Sequence, residues 1–402
     1  MATCRGSGKG AVRPVGSLGF WVVVSLAAIL ALTSEAHLTQ AAQAAEAADW
    51  QSQWEEAVAG ARKEGRLTVA GGGEIGRSFR KIFPTFGKKF GIEVTLSATR
   101  GGQEANRILA EKGAGVHSVD VFMGGVTNGE ELIRQGALDP MAGDFILPEV
   151  NDQSLWWDGR HHYGDQARKY IFLFSASPRG AGLLLNTKMV DPKEITSLWD
   201  LLKPKYRGQI IAGYLGTEGQ AGSVAEYYGH PKLGPEWIEK LFMETDIAMI
   251  DDTRTAKDWV ITGRKAIAIF VGATDDMYAV KEAGAPIEIM DYRFPMKEGN
   301  ILAGGGSASM VMLVAKPPHP NARKVFINWW LSKEGQLAIH NVYGQRQSFR
   351  LDIPNDMLRP EAKIHKGVDY VYPQSDPNFM AVRGEALKFT RELAQKWKAK
   401  QR

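Results

Sequence analysis

Cysteine is all but missing: Cys4 is the single one among 402 residues. It precedes the apolar run from Leu18 to Leu32 instead of following it, so it does not match a lipoprotein acylation site. With no other thiol, the rest of the chain is expected to hold no disulfide and no thiolate metal site. Charge of one sign is scarce too. A net charge of +4 without a long Lys/Arg run argues against nucleic acid as a partner. Hydrolase signatures are lacking: there is no G-x-S-x-G elbow and no H-E-x-x-H, so no catalytic residue is assigned. No internal repeat of roughly 20–50 residues appears. The one long apolar run, LGFWVVVSLAAILAL, is short of the about 20 residues that a spanning helix needs.

That run has another use. Arg5, Lys9 and Arg13 precede it and small residues follow, the order of a secretory signal peptide. Cleavage is expected after Ser34-Glu35-Ala36, giving a signal over 1–36, or as late as Ala45-Glu46-Ala47. The mature protein is then exported, to the periplasm, and depends on its core rather than on covalent staples. A length of 402 residues suggests two to three domain-sized units. Hydrophobic residues at 44% and charged residues at 23% place it among ordinary globular proteins.

Short apolar runs alternate with helical periodicity from Trp50 onward. Leu67–Ala70, Ile92–Leu96 and Val119–Met123 read as strands. A helix carrying Phe79, Ile82, Phe83, Phe86 and Phe90 lies between the first two, with Pro84 kinking it or marking its first turn. AGLLLN, QIIA, AIAIFV, the run Ile287–Met290 and SMVMLV are further strands, with helices over Thr217–Tyr228, Ala322–Leu331 and Val382–Trp397. Strands alternating with helices imply an α/β fold with mostly parallel sheets flanked by helices. Two such units without a clean linker suggest that the chain crosses between lobes more than once, leaving a ligand cleft between them.

Residues Gly71–Gly76 spell G-x-G-x-x-G, and Glu93 follows about 20 residues on, so a dinucleotide-dependent oxidoreductase is one reading. The motif alone is weak, and an exported protein has little access to nicotinamide cofactors. No cofactor is expected.

Several segments, in order, resemble the solute-binding proteins of ABC transporters, within the ferric-iron-binding-like branch of the type II periplasmic fold. They are EGRLTVAGGGE, FGKKFGIEVTLSATRGGQEANRILAEKGAG, VDVFMGG, GALDP, GLLLNTKMV, SLWDLLKPKYRGQI, GYLGTEGQAG, GRKAIAIFVGATDD, GAPIEIM and ARKVFINWWLSKEGQ. The resemblance runs from about Leu67 to Gln336 and rests on their order rather than on any one of them. It implies one lobe over 51–172 and 305–345, a second over 173–304, and a C-terminal helical segment, 346–402, packing on the lobes. It further implies a monomeric receptor that delivers a small solute to an inner-membrane permease and ATPase.

In such a fold the solute meets the turns between strand ends and helix starts, where free amides point inward. The first turn offers Gly73 and Glu74; the second Thr99, Arg100 and Gly101. The third offers Thr217, Glu218, Gly219 and Gln220, and the fourth Thr274, Asp275 and Asp276, with Thr253 and Arg254 also candidates. Thr99 can instead cap its helix, and Glu74 can be a solvated turn residue. The ferric-iron members carry adjacent tyrosines at the fourth turn; this chain has none at Ala273–Asp275, and Gly125 stands where an acidic ligand is expected. Tyr227-Tyr228 is read as packing, Trp156-Trp157 and Trp329-Trp330 as core, and His161-His162 as a solvated loop without the ligand count for a metal. No metal residue is assigned. Glu74, Glu218, Asp275 and Asp276 beside Arg100 and Arg254 suggest a polar, zwitterionic or cationic organic solute, Glu218 being placed to repel an anion. A cation held by carboxylates is kept as an alternative.

Overall fold

The computed structural model describes residues 49–401 except 73–74, 77–78, 100, 181, 217, 272–274, 304–308 and 344–345. The chain divides into two compact units, residues 1–55 and 56–402. In the first, the described residues 49–55 are helical. The second unit contains everything that follows.

Helical residues 56–64 stop at Gly65, whose φ of 67° is a left-handed value open to glycine. The chain then alternates through β1 (Arg66–Gly72), α1 (Phe83–Phe90), β2 (Glu93–Thr99), α2 (Gly101–Gly113), β3 (Val121–Met123), α3 (Val126–Arg134) and β4 (Leu138–Asp139). Pro84 does mark a first turn, that of α1, where its missing N–H is harmless. The strands β5 (His162–Tyr163) and β6 (Phe172–Leu173) lead to β7 (Ser175–Gly180) and β8 (Leu183–Asn186). A second alternation follows: β9 (Ile210–Gly213), α4 (Glu218–Tyr228), α5 (Gly234–Glu244), β10 (Ala248–Ile250), α6 (Thr253–Ile261), β11 (Ile267–Ile269), α7 (Asp275–Glu282) and β12 (Ile287–Ile289). The chain returns through β13 (Asn300–Ala303) and β14 (Met310–Val314) to α8 (Pro320–Leu331) and α9 (Lys333–Tyr343). It finishes with β15 (Gln347–Ser348), β16 (Tyr370–Val371) and α10 (Pro377–Lys400).

Three sheets result. The first has the order β2-β1-β3-β14-β6-β5, with β4 beside β14; the second is β10-β9-β11-β8-β12. In each, three neighbouring strands are parallel and followed by helices: β2-β1-β3 and β10-β9-β11. The remaining pairings are antiparallel. Both sheets are thus mixed rather than parallel throughout, because β8 and β14 arrive from the other sheet without a helix to reverse them. The third sheet, β15-β7-β13-β16, is made of the crossing segments. Its centre is the antiparallel pair β7 and β13, one strand leaving the first sheet and one returning to it.

Period-two alternation buries both faces of the second sheet. Leu183, Leu185, Ile210, Ala212, Ile267 and Ile269 enter one core with Trp237, Leu241 and, from α10, Leu393 and Ala394. Leu184, Ile211 and Ala268 enter the other with Ala256, Val260 and Met277. Beside the first sheet, the α8 tryptophans fill an aromatic core as expected. Trp330 meets Phe79 edge-on at 5.1 Å and Phe326 at 5.3 Å, while Trp329 lies 5.4 Å from Phe86.

Asp120, fully buried just before β3, ties this region together. Its carboxylate accepts the Thr68 amide at 2.7 Å and the His319 amide at 2.8 Å, and it pairs with His319 Nδ1 at 2.9 Å. Burial pushes this carboxyl up, and those bonds hold it back.

Candidate functional site

Parallel strands expose one row of C-terminal ends, and each such end here feeds a helix. On the first sheet, β2 ends at Thr99 and α2 starts at Gly101; β3 ends at Met123 and α3 starts at Val126 behind the Gly125 cap position. On the second, β9 leads to α4, β10 to α6 and β11 to α7. Two sheets joined by the β7–β13 pair therefore each carry an edge of helix N-termini, where unpaired amides and the helix dipole favour anionic or polar groups. Gly101 opens α2, Glu218 opens α4 with Gly219 and Gln220 behind it, and Asp275 and Asp276 open α7. Gly73, Glu74, Arg100, Thr217 and Thr274 lie outside the described residues.

The Thr99 side chain has an acceptor within α2. Its hydroxyl donates at 2.8 Å to Glu104 Oε1, which also takes the Ser97 hydroxyl at 2.8 Å. Arg107 binds the other oxygen at 2.9 Å, so Glu104, 2% exposed, pins the end of β2 to α2. Thr253 and Arg254 start α6, but the cap is Asp252, whose carboxylate accepts the Arg254 amide at 3.0 Å and the Thr255 hydroxyl at 2.8 Å. Those bonds hold the Asp252 carboxyl below its ordinary range. Arg254 itself is exposed. Asp276 does not stand alone: the buried Lys257 on α6 donates to it at 2.9 Å, joining α6 to α7.

The glycines of the first turn answer to packing. A Cβ on Gly71 would come within 2.4 Å of the Met123 carbonyl and 2.3 Å of Ile75 Cδ1, so β1 and β3 meet there only because Gly71 has none. Residues 75–76 are helical, and the next helix, α1, begins at Phe83.

Residues 81–363 match the bacterial extracellular solute-binding proteins. The chain belongs to that family. No curated protein matches it. Among solved structures, this solute-binding protein is similar to iron-bound HitA from Pseudomonas aeruginosa, at 21% identity and TM-score 0.58, covering 82% of this chain and 99% of that one. The ferric binding protein from Campylobacter jejuni is 16% identical with TM-score 0.60, covering 81% and 99%. AfuA from Actinobacillus pleuropneumoniae, solved with fructose-6-phosphate bound, is 19% identical with TM-score 0.57, covering 83% and 97%. These likenesses are of fold: two lobes of mixed α/β structure with a cleft between them.

Other features of this solute-binding protein were hidden or misread in its sequence. The His161-His162 pair is no solvated loop. His161 is 6% exposed, packed against Phe145, Trp156 and Phe172, and His162 is fully buried, stacked on Trp157 and tilted against Phe349. Tyr227 is packing as expected, stacked on Trp237 at 5.5 Å and edge-on to Phe270 at 5.2 Å; Tyr228 donates to Glu385 at 2.7 Å. Phe270, at the end of β11, holds a left-handed φ of 55°, rare for an aromatic residue, which that packing enforces just before the fourth turn. Among the described residues, no group of three or more His, Cys, Asp or Glu is placed to hold a metal ion. Lys257, paired with Asp276, and Arg346, bonded to Ser309, are cations that sequence reasoning passed over; a Lys inside a helix and an Arg beyond the last long strand carry no local signal.

Proposed function

We propose that this protein is the periplasmic substrate-binding component of an ABC importer. It captures a small polar organic solute between its lobes and hands it to a membrane permease and its ATPase, as a monomer and without catalysis. The observation that supports this most directly is the pair of edges of helix N-termini on two sheets linked by antiparallel crossing strands, since such strands let lobes close over a ligand. We assign lobe one to 51–172 and 305–345 and lobe two to 173–304. The solute contacts are Gly73, Glu74, Thr99, Arg100, Gly101, Thr217 to Gln220, Thr253, Arg254 and Thr274 to Asp276.

Native mass spectrometry of protein purified from its own periplasm, with elemental analysis of the same sample, tests the reading. A retained small organic molecule at unit stoichiometry supports it. A stoichiometric metal ion without an organic ligand, or turnover of the retained molecule, overturns it.

A further inference from the structure

The crossing-strand sheet carries a polar cluster that none of the turns above accounts for. Tyr372 follows β16 and is 7% exposed, yet its hydroxyl has no hydrogen-bond partner; the same holds for Gln374 Oε1. Gln374 borders Glu226 of α4, itself 6% exposed. The Gln374 amide donates to that carboxylate at 3.0 Å, and its charge acts on the Tyr372 phenol. Arg346 acts on the same phenol, lowering it, and donates at 3.0 Å to the Ser309 hydroxyl, met in turn by the Ser175 hydroxyl at 2.9 Å. Burial dominates and pushes the phenol up, so Tyr372 stays a neutral donor. Ser175 begins β7, Ser309 precedes β14, Arg346 precedes β15 and Glu226 comes from the second alternation, so the cluster draws on every part of the fold.

A buried donor and a buried acceptor left empty are costly, and native proteins fill them. A hydroxyl has the chemistry for both: it can accept from Tyr372 O–H and donate to Gln374 Oε1. Arg346 supplies the positive charge for an anion, and Glu226 turns that anion away from its own side. We propose that Tyr372, Gln374, Glu226 and Arg346 form a subsite for the solute, and that the solute is a small organic anion carrying a hydroxyl beside its carboxylate or phosphate. This deepens the solute-receptor reading and rests on it.

The test compares matched probes by titration calorimetry on the full mature chain, stripped of ligand. Malate against succinate differs by one hydroxyl on a carboxylate; 2-hydroxyethyl phosphate against ethyl phosphate asks the same of a phosphate. The hydroxylated member of one pair is expected to bind about tenfold more tightly, and which pair shows it identifies the anion. Tyr372→Phe keeps the ring against Phe349, 5.4 Å away, and is expected to erase that preference with little change in melting temperature. Arg346→Gln is expected to weaken both members alike. If the wild type retains an organic ligand that Tyr372→Phe binds equally well, or prefers the member without the hydroxyl, the subsite is wrong while the receptor reading stands. If no solute is retained or bound at all, both fall.

Discussion

Burial pushes the His162 imidazole down to about 4, with Arg160 adding to the effect, while the Trp157 carbonyl opposes it by accepting from Nε2 at 2.8 Å. The folded value lies below the ordinary 6.5, so the unfolded chain binds the proton first. The neutral ring's contribution is complete above pH about 6.5 and is lost as pH falls toward about 4, a difference of about 3 kcal/mol. Urea unfolding at a series of pH values should show that slope, and His162→Phe should remove it. Glu104 offers a second test. Removing a buried carboxylate that takes two hydroxyls and a guanidinium should cost about 2–3 kcal/mol in Glu104→Ala, read from the denaturation midpoint. Neither role was legible in the sequence. His161-His162 looked solvated because a two-residue strand leaves no periodic trace, and the Thr99–Glu104 bond leaves no signal in the turn because its acceptor lies inside the following helix.

Elements were far more legible than their partners. AIAIFV, QIIA and SMVMLV announce buried strands by composition, and all three appear, whereas the two-residue strands β15 and β16 are set by what they pair with. The four turns could be placed because glycine and threonine punctuate them. Their electrostatic partners could not, since Gln374 reaches Glu226 across 148 residues of chain. The aromatic face of α1 and α8 gives the element scale its tests. Trp330→Ala should cost about 3–5 kcal/mol, because Phe79, Phe83, Phe174 and Phe326 close around the ring and cannot collapse fully into the void. Gly335→Ala in α9 should destabilise too, as its Cβ would sit 1.9 Å from the Trp329 carbonyl oxygen and α9 must shift to clear it. Thermal unfolding of each purified variant reads both effects.

At the scale of the whole molecule, one side chain from α10 bridges the fold. Arg383 donates to the Thr127 hydroxyl at 2.7 Å and lies 3.3 Å from the Glu130 carboxylate, both on α3, while Leu393 and Ala394 farther along α10 belong to the core of the second sheet. Arg383→Ala should therefore raise the radius of gyration of the ligand-free protein in small-angle scattering, and added solute should reverse the change. An unaltered profile would show that α3 is held by other contacts.

The packing of α10 also has a consequence in time. Its Leu393 and Ala394 complete a core whose other members begin at Leu183, so that core cannot close until nearly all of the chain is available. The first sheet waits as well, since β14 in its middle is made only after the second alternation has passed. Contacts so distant along the chain form slowly. A polypeptide threaded through a membrane channel from its N-terminus thus stays open while it moves, and folds once its last helix is through.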